Sequence, residues 1–294
     1  MPRVQREANV IWEGNVARGN GSISGATGAF TKLPYSLATR IEKPDGKTSP
    51  EELLAAAHAA CYAMSLAGEL AARGSAPDHL DVRAVVTLDQ VADGSHRIVA
   101  SELLARACNR NRRGRPPASR GGRQQRVHSF RADRVERKGD RQRTTRRRKL
   151  MATDRKAEVT WHADLMSGSG RIDSVTSGAF GGLDVSWAAR SEEPNGLTSP
   201  EELIAAAHAS CFSMALSGGL AKEGHAPEEL KTSATVTFQP GEGITKIVLD
   251  VAGRVPGMDE AAFKEAAEQA KENCPVSKAL AGVPEISLNA RLQG

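Results

Sequence analysis

The chain has 294 residues, room for about two domains, and at 39% hydrophobic but only 4% aromatic residues its cores are expected to be Ala- and Val-rich. No apolar run is expected to reach the ~20 residues of a membrane helix, the start MPRVQREANV has no signal-peptide core, and four cysteines are too few for a secreted disulfide framework, so a soluble, cytoplasmic protein with redox or catalytic thiols is expected. The net charge of +5 comes from one segment: residues 106–149 hold 18 Lys and Arg against Asp133, Glu136 and Asp140, leaving −10 on the remainder, so the basic balance does not argue for a nucleic-acid-binding fold.

In chain order, an early strand carries Trp12, followed by GAF at 28–30, Arg40, and SPEELLAAAHAAC at 49–61. VTL at 86–88 belongs to a later strand. The same order returns 150 residues on, with GAF at 178–180, Arg190, SPEELIAAAHASC at 199–211 and VTF at 236–238, while Trp161 marks the early strand again. This is one domain written twice.

The first copy keeps step to about Leu104, which defines a partial domain over 1–104, an Arg-rich segment over 105–150 and a complete domain over 151–294. Two readings of 105–150 stay open. Read one nucleotide later, its degenerate codons allow a Gly-Ile-Asp-Glu-Ala-Ala run from Arg110 and a cysteine at Val127 followed by Thr-Val-Ser. These match Gly257–Ala262 and Cys274–Ser277, as an out-of-frame remainder of the first copy would. The other reading is a basic, disordered linker that binds nucleic acid or acidic partners.

In the second copy, Gly168-Ser169-Gly170 and Gly178 read as hairpin turns, since no strand–loop–helix context surrounds them for a phosphate. Ser199 is the expected N-cap of a helix running to about Gly224, with Pro200 at its first position and Glu202 closing a capping box. Strands joined by Pro240-Gly241-Glu242-Gly243 follow. A helix then presents Phe263, Ala266, Ala267 and Ala270 on one face. Cys274-Pro275 starts a short helix, and a last strand alternates through Ile286, Leu288, Ala290 and Leu292.

Taken alone, Cys211 in an Ala-rich helix reads as a buried, inert thiol. Cys274 reads differently, because a helix start stabilises a thiolate. Spacing does not show whether the two meet. His208, three residues before Cys211, fits packing or hydrogen bonding better than catalysis, and Phe212 and Met214 fit core or pocket lining. No metal-ligand or cofactor motif is present.

The run SPEELIAAAHASCFSMALS, with Asn273-Cys274-Pro275-Val276-Ser277-Lys278-Ala279-Leu280 beginning 62 residues past Cys211, resembles the OsmC/Ohr family of hydroperoxide-reducing proteins, nearer its OsmC branch. The resemblance implies an α+β fold, a long central helix wrapped by antiparallel strands, present as one partial and one complete copy. It implies a peroxidatic Cys211, a resolving Cys274, an Arg190 that holds the thiolate and peroxide, and a Glu201 that orients the arginine. It further implies a two-cysteine peroxidase that takes organic hydroperoxides, uses a cellular dithiol and needs no cofactor or metal. Paired subunits are implied too: a homodimer of 151–294, or an intramolecular pseudo-dimer if the first copy is complete enough to serve as partner.

The first copy repeats Arg40, Glu51 and Cys61 as degenerate equivalents, without a counterpart of Cys274. Cys108 is no substitute, because its neighbours fit no helix start. Cys61 is therefore expected to need an outside thiol, and the first copy to be poorly active. Two other readings stay open: a non-catalytic OsmC-like module that senses oxidants or binds a ligand, and nucleic-acid association through 105–149.

Overall fold

The computed structural model describes residues 3–108, 125–131 and 152–293. Most of the Arg-rich segment, and with it the frame-shift and nucleic-acid readings, lies outside the described residues. Within the segment, however, a strand continues to Cys108 and the backbone of Gln125–Arg131 forms another, so it is not linker throughout.

The first copy contributes β1 (Val4–Glu13), β2 (Asn20–Gly25), β3 (Leu33–Tyr35), α1 (Leu37–Ile41), α2 (Pro50–Ala72), β4 (His79–Gln90) and β5 (His96–Cys108), with β6 (Gln125–Arg131) after them. The second contributes β7 (Thr153–His162), β8 (Ser169–Val175), β9 (Leu183–Ser186), α3 (Trp187–Ser191), α4 (Pro200–Lys222), β10 (Glu229–Gln239) and β11 (Gly243–Arg254). It goes on through α5 (Glu260–Asn273), α6 (Pro275–Ala279) and β12 (Glu285–Leu292).

The strands of the two copies interleave. One six-stranded sheet runs β12-β11-β10-β1-β2-β3 and the other β6-β5-β4-β7-β8-β9. Each sheet is therefore completed by the other copy, through the antiparallel pairs β1–β10 and β4–β7. The early tryptophans sit at the same place in these joints, Trp12 opposite Leu230 and Trp161 opposite Leu80. Pairing among the described strands is antiparallel except for β11 with β12, which run parallel.

The two long helices lie against each other between the sheets, α2 on β4 and β7, α4 on β1 and β10. Both start as the sequence predicts: Ser49 and Ser199 accept from the amides of Glu52 and Glu202 at 3.3 and 3.2 Å, a cap worth ~1 kcal/mol. Proline holds the first helical position in each, and Gly224, at φ +88°, follows the end of α4. Alanines at 55, 56, 57, 59, 60 and 63, and again at 205, 206, 207 and 209, are fully or nearly fully buried. Their small side chains allow the close approach between helix, helix and sheet.

Three expectations need correction. Both long helices are 23 residues, with mean hydropathy of 1.3 and 1.4, long and apolar enough to cross a membrane; the alanines that suit close packing also give them this length and polarity. Gly170 lies within β8 rather than in a turn, where an added Cβ would meet the Trp161 ring. The capping boxes close only halfway. Glu202 turns its carboxylate across the joint to the amide and hydroxyl of Thr27, each at 2.9 Å, and Glu52 does the same with Ser177 at 2.7 and 2.6 Å.

Candidate active site

Each arginine of the repeat stands on a five-residue helix clamped from the other copy. Ser36 and Ser186 cap α1 and α3. Arg155 of β7 donates to the carbonyls of Thr39, Arg40 and Glu42 at 2.6, 3.1 and 2.9 Å, and Arg6 of β1 donates to those of Ala189 and Glu192 at 2.5 and 2.6 Å. A guanidinium on the last carbonyls of a helix satisfies groups that have no partner inside it. The sequence reading missed these clamps, although Arg6 and Arg155 both stand six residues before the early tryptophan.

Arg40 grips Glu51 with Nε and Nη2, at 3.0 and 2.6 Å to Oε1, and both side chains are almost wholly buried. The same Nη2 donates to the Sγ of Cys211 at 3.3 Å. Arg190 grips Glu201 in the same way, at 3.0 and 2.7 Å, but faces the first copy's helix, where its charge acts on Cys61 and its Nη1 lies 4.0 Å from Met64 Sδ. The expected partnership of Arg190 and Glu201 with Cys211 is thus corrected: the arginine and carboxylate serving Cys211 are Arg40 and Glu51. The strand exchange is the reason. The strands leading into α1 belong to the sheet that carries α4, and those leading into α3 belong to the sheet that carries α2.

Cys274 does meet Cys211. Both are fully buried and unbridged, and each sets the protonation of the other. Burial pushes the Cys211 thiol up, with Arg40 opposing. For Cys274, burial is outweighed by the Cys211 thiol, by the amide and hydroxyl of Ser277 and by Arg40, and its pKa falls to about 7. The pair therefore parts with one proton readily, and its titration belongs to both sulfurs. The arginine answers in kind: burial disfavours its charge, but Cys211 and Glu51 hold Arg40 protonated more firmly than a free guanidinium.

His208 is buried behind this pair and joins its Nε2 to Ser277 Oγ at 2.8 Å. Burial depresses its pKa to about 4, so it is neutral at pH 7. Phe212 lies in the core, while Met214 lines a groove of about 600 Å³ with Arg40, Leu37, Leu88 and Pro275. The groove reaches Arg40 and runs beside Cys274 at Asn273 and Pro275, while both sulfurs stay buried beneath it, and its walls mix apolar side chains with Ser95, His96, Lys222, Glu223 and Gln269. Among the described residues no cluster of three or more His, Cys, Asp or Glu is placed to hold a metal ion.

A buried thiol pair next to an arginine–carboxylate fork, in a molecule whose two long helices lie back to back between interleaved sheets, defines a cysteine-centred protein with an α+β repeat fold. The chain belongs to the OsmC family: the family described as OsmC-like protein matches residues 43–105 and 193–289. It is 39% identical over 146 residues to peroxiredoxin OsmC of Escherichia coli K12, covering 49% of this chain and 99% of that one. It is 33% identical over 97 residues to an organic hydroperoxide resistance protein of Xanthomonas axonopodis pv. citri, covering 31% of this chain and 65% of that one. Among solved structures, an organic hydroperoxide resistance protein OsmC of Legionella pneumophila is similar over 46% of this chain and 96% of its own, at 22% identity and a TM-score of 0.36.

Of the two arrangements of paired subunits the sequence leaves open, the internal one has its counterpart in the chain: the first copy supplies β1–β3, Arg40 and Glu51 to the sheet and centre of the second. Of the cysteines, Cys108 ends β5 opposite His79 and is exposed.

Proposed function

We propose that the chain reduces organic hydroperoxides at Cys211, with Cys274 as the resolving thiol. The observation that carries this reading is the placement of Cys211 against both Arg40, at 3.3 Å, and the Cys274 thiol. The Cys211 thiolate attacks the distal oxygen of ROOH. The O–O bond breaks, the alkoxide takes a proton and leaves as ROH, and Cys211 becomes a sulfenic acid. The Cys274 thiolate attacks that sulfur, hydroxide leaves as water with the second proton, and a Cys211–Cys274 disulfide forms. A dithiol then reduces the disulfide and is itself oxidised.

Arg40 supplies the cation for the thiolate and for charge developing on the leaving oxygen, and Glu51 fixes its orientation through the fork. The apolar side chains of Leu37, Leu88 and Met214, which share the groove with Arg40, favour an organic peroxide over hydrogen peroxide. Turnover of cumene hydroperoxide with excess dithiothreitol is expected of the full chain carrying Cys61→Ser, which leaves this centre alone, and adding Cys211→Ser abolishes it; unchanged turnover overturns the reading. One observation favours a sensor without turnover, the complete burial of both sulfurs. Consumption of a single peroxide per chain, with no further loss under excess dithiol, would establish that alternative.

A further inference from the structure

The second arginine–glutamate pair has a thiol of its own and a cavity over it. Arg190, Glu201 and Cys61 line a space of about 300 Å³ whose remaining walls include Leu54, Ile98, Ile204, Ile244 and Leu280. Arg190 is held firmly: Glu201 takes its fork, and the Phe238 ring lies 4.2 Å from its guanidinium carbon. Cys61 is partly exposed and lines this cavity directly, whereas Cys211 is fully buried.

No resolving thiol accompanies Cys61. All four cysteines are among the described residues: Cys211 and Cys274 face each other at the first centre, and Cys108 lies at the far end of β5. The histidine of the repeat shows the same difference. His208 reaches Ser277 beside Cys274, but His58 turns to Ser101 of β5 at 2.7 Å.

We propose that Cys61, Arg190 and Glu201 form a second reaction centre, which takes apolar organic hydroperoxides by a one-cysteine cycle and is returned by an external monothiol entering the same cavity. For the class of oxidant this rests on the reading given for Cys211. The Cys61 thiolate takes the distal oxygen of ROOH and releases ROH. With no thiol beside it, the sulfenic acid persists until RʹSH attacks, forming Cys61–S–S–Rʹ and water. A second RʹSH releases the Cys61 thiol and RʹSSRʹ. The sum is ROOH + 2 RʹSH giving ROH + RʹSSRʹ + H₂O.

The unmutated chain tests this, because its two centres trap different products. The reduced protein is treated with cumene hydroperoxide in the presence of dimedone, which captures sulfenic acids, and each cysteine is then mapped by mass spectrometry. Dimedone on Cys61 together with a Cys211–Cys274 disulfide is the result expected. Cumene hydroperoxide should label Cys61 ~10-fold or more faster than hydrogen peroxide, the worth of about two buried methylenes. Benzyl thiol added before dimedone should convert the label to a mixed disulfide on Cys61. A Cys61 left as free thiol while Cys211 and Cys274 bridge overturns the second centre and leaves the first standing. A Cys61 bridged to another cysteine of the chain overturns the one-cysteine cycle, and equal labelling by both peroxides overturns the choice of an apolar substrate. If Cys61 is labelled and Cys211 and Cys274 stay thiols, the reading of the first centre fails instead.

Discussion

The centres at Cys211 and Cys61 start from nearly the same thirteen-residue motif and the same arginine–glutamate fork, yet their surroundings differ. At Cys211, α5 and α6 of the second copy close over α4, bring in Cys274 and bury both sulfurs. At Cys61, a cavity of about 300 Å³ opens instead. The arginines differ as well. Arg40 lies among Leu37 and Leu88 and donates to its sulfur at 3.3 Å, whereas Arg190 is flanked by Trp187 and Phe238. The motif therefore sets the thiol and the fork, while the elements that follow it decide whether the sulfenic acid is resolved inside the protein or outside it.

The largest effects separate the centres outright. Cys211→Ser should abolish formation of the intramolecular disulfide, read by non-reducing peptide mapping, while Cys61 remains oxidisable. Arg40→Lys keeps the charge but loses the fork, and should slow disulfide formation at Cys211 by ~10²-fold, the scale of one oriented charge donor. Arg190→Lys should act on Cys61 oxidation and not on the Cys211–Cys274 bridge. Stopped-flow rates of the two variants measure this directly. If Arg190→Lys slows the bridge instead, the crossed assignment is wrong.

That crossing marks where sequence reasoning stopped. The helices, their serine caps, the buried face of α5 and the short α6 were legible because capping residues and apolar spacing act locally. The residue types of the site were legible because the repeat and the resemblance name them. Which copy's arginine meets which copy's cysteine depends on strand pairing across more than 200 residues, such as Val4 with Phe238, and a repeat written twice fits either pairing equally well. The clamps of Arg6 and Arg155 and the long reach of Glu52 and Glu202 stayed hidden for the same reason.

Acid should weaken the Cys211 side more than the Cys61 side. His208 is fully buried, and its pKa falls from 6.5 to about 4 because burial disfavours its cation. A depressed pKa means that the unfolded chain takes up the proton first. Stability is therefore complete above about pH 6.5 and falls as the pH drops towards 4, by about 3 kcal/mol over that window. Urea unfolding at pH 7 and pH 4.5 gives the slope, and His208→Asn should flatten it. His58 is shifted in the same direction but retains some exposure, so His58→Asn should change the slope less.

The smallest effect tests whether the two joints are equivalent. Glu52 receives Ser177 Oγ at 2.6 Å and Glu202 receives Thr27 Oγ1 at 2.9 Å, each across a sheet joint built from both copies. A hydrogen bond to a charged acceptor contributes about 1.5–3 kcal/mol, and in both cases the backbone amide bond to the carboxylate survives removal of the hydroxyl. Ser177→Ala and Thr27→Val should each cost about 1–2 kcal/mol in urea unfolding, the serine change slightly more because its bond is shorter. A much larger loss from Thr27→Val would mean that the sheet carrying α5, α6 and β12 depends on its joint more than the other sheet does. The resemblance between the joints would then be one of shape and not of energy.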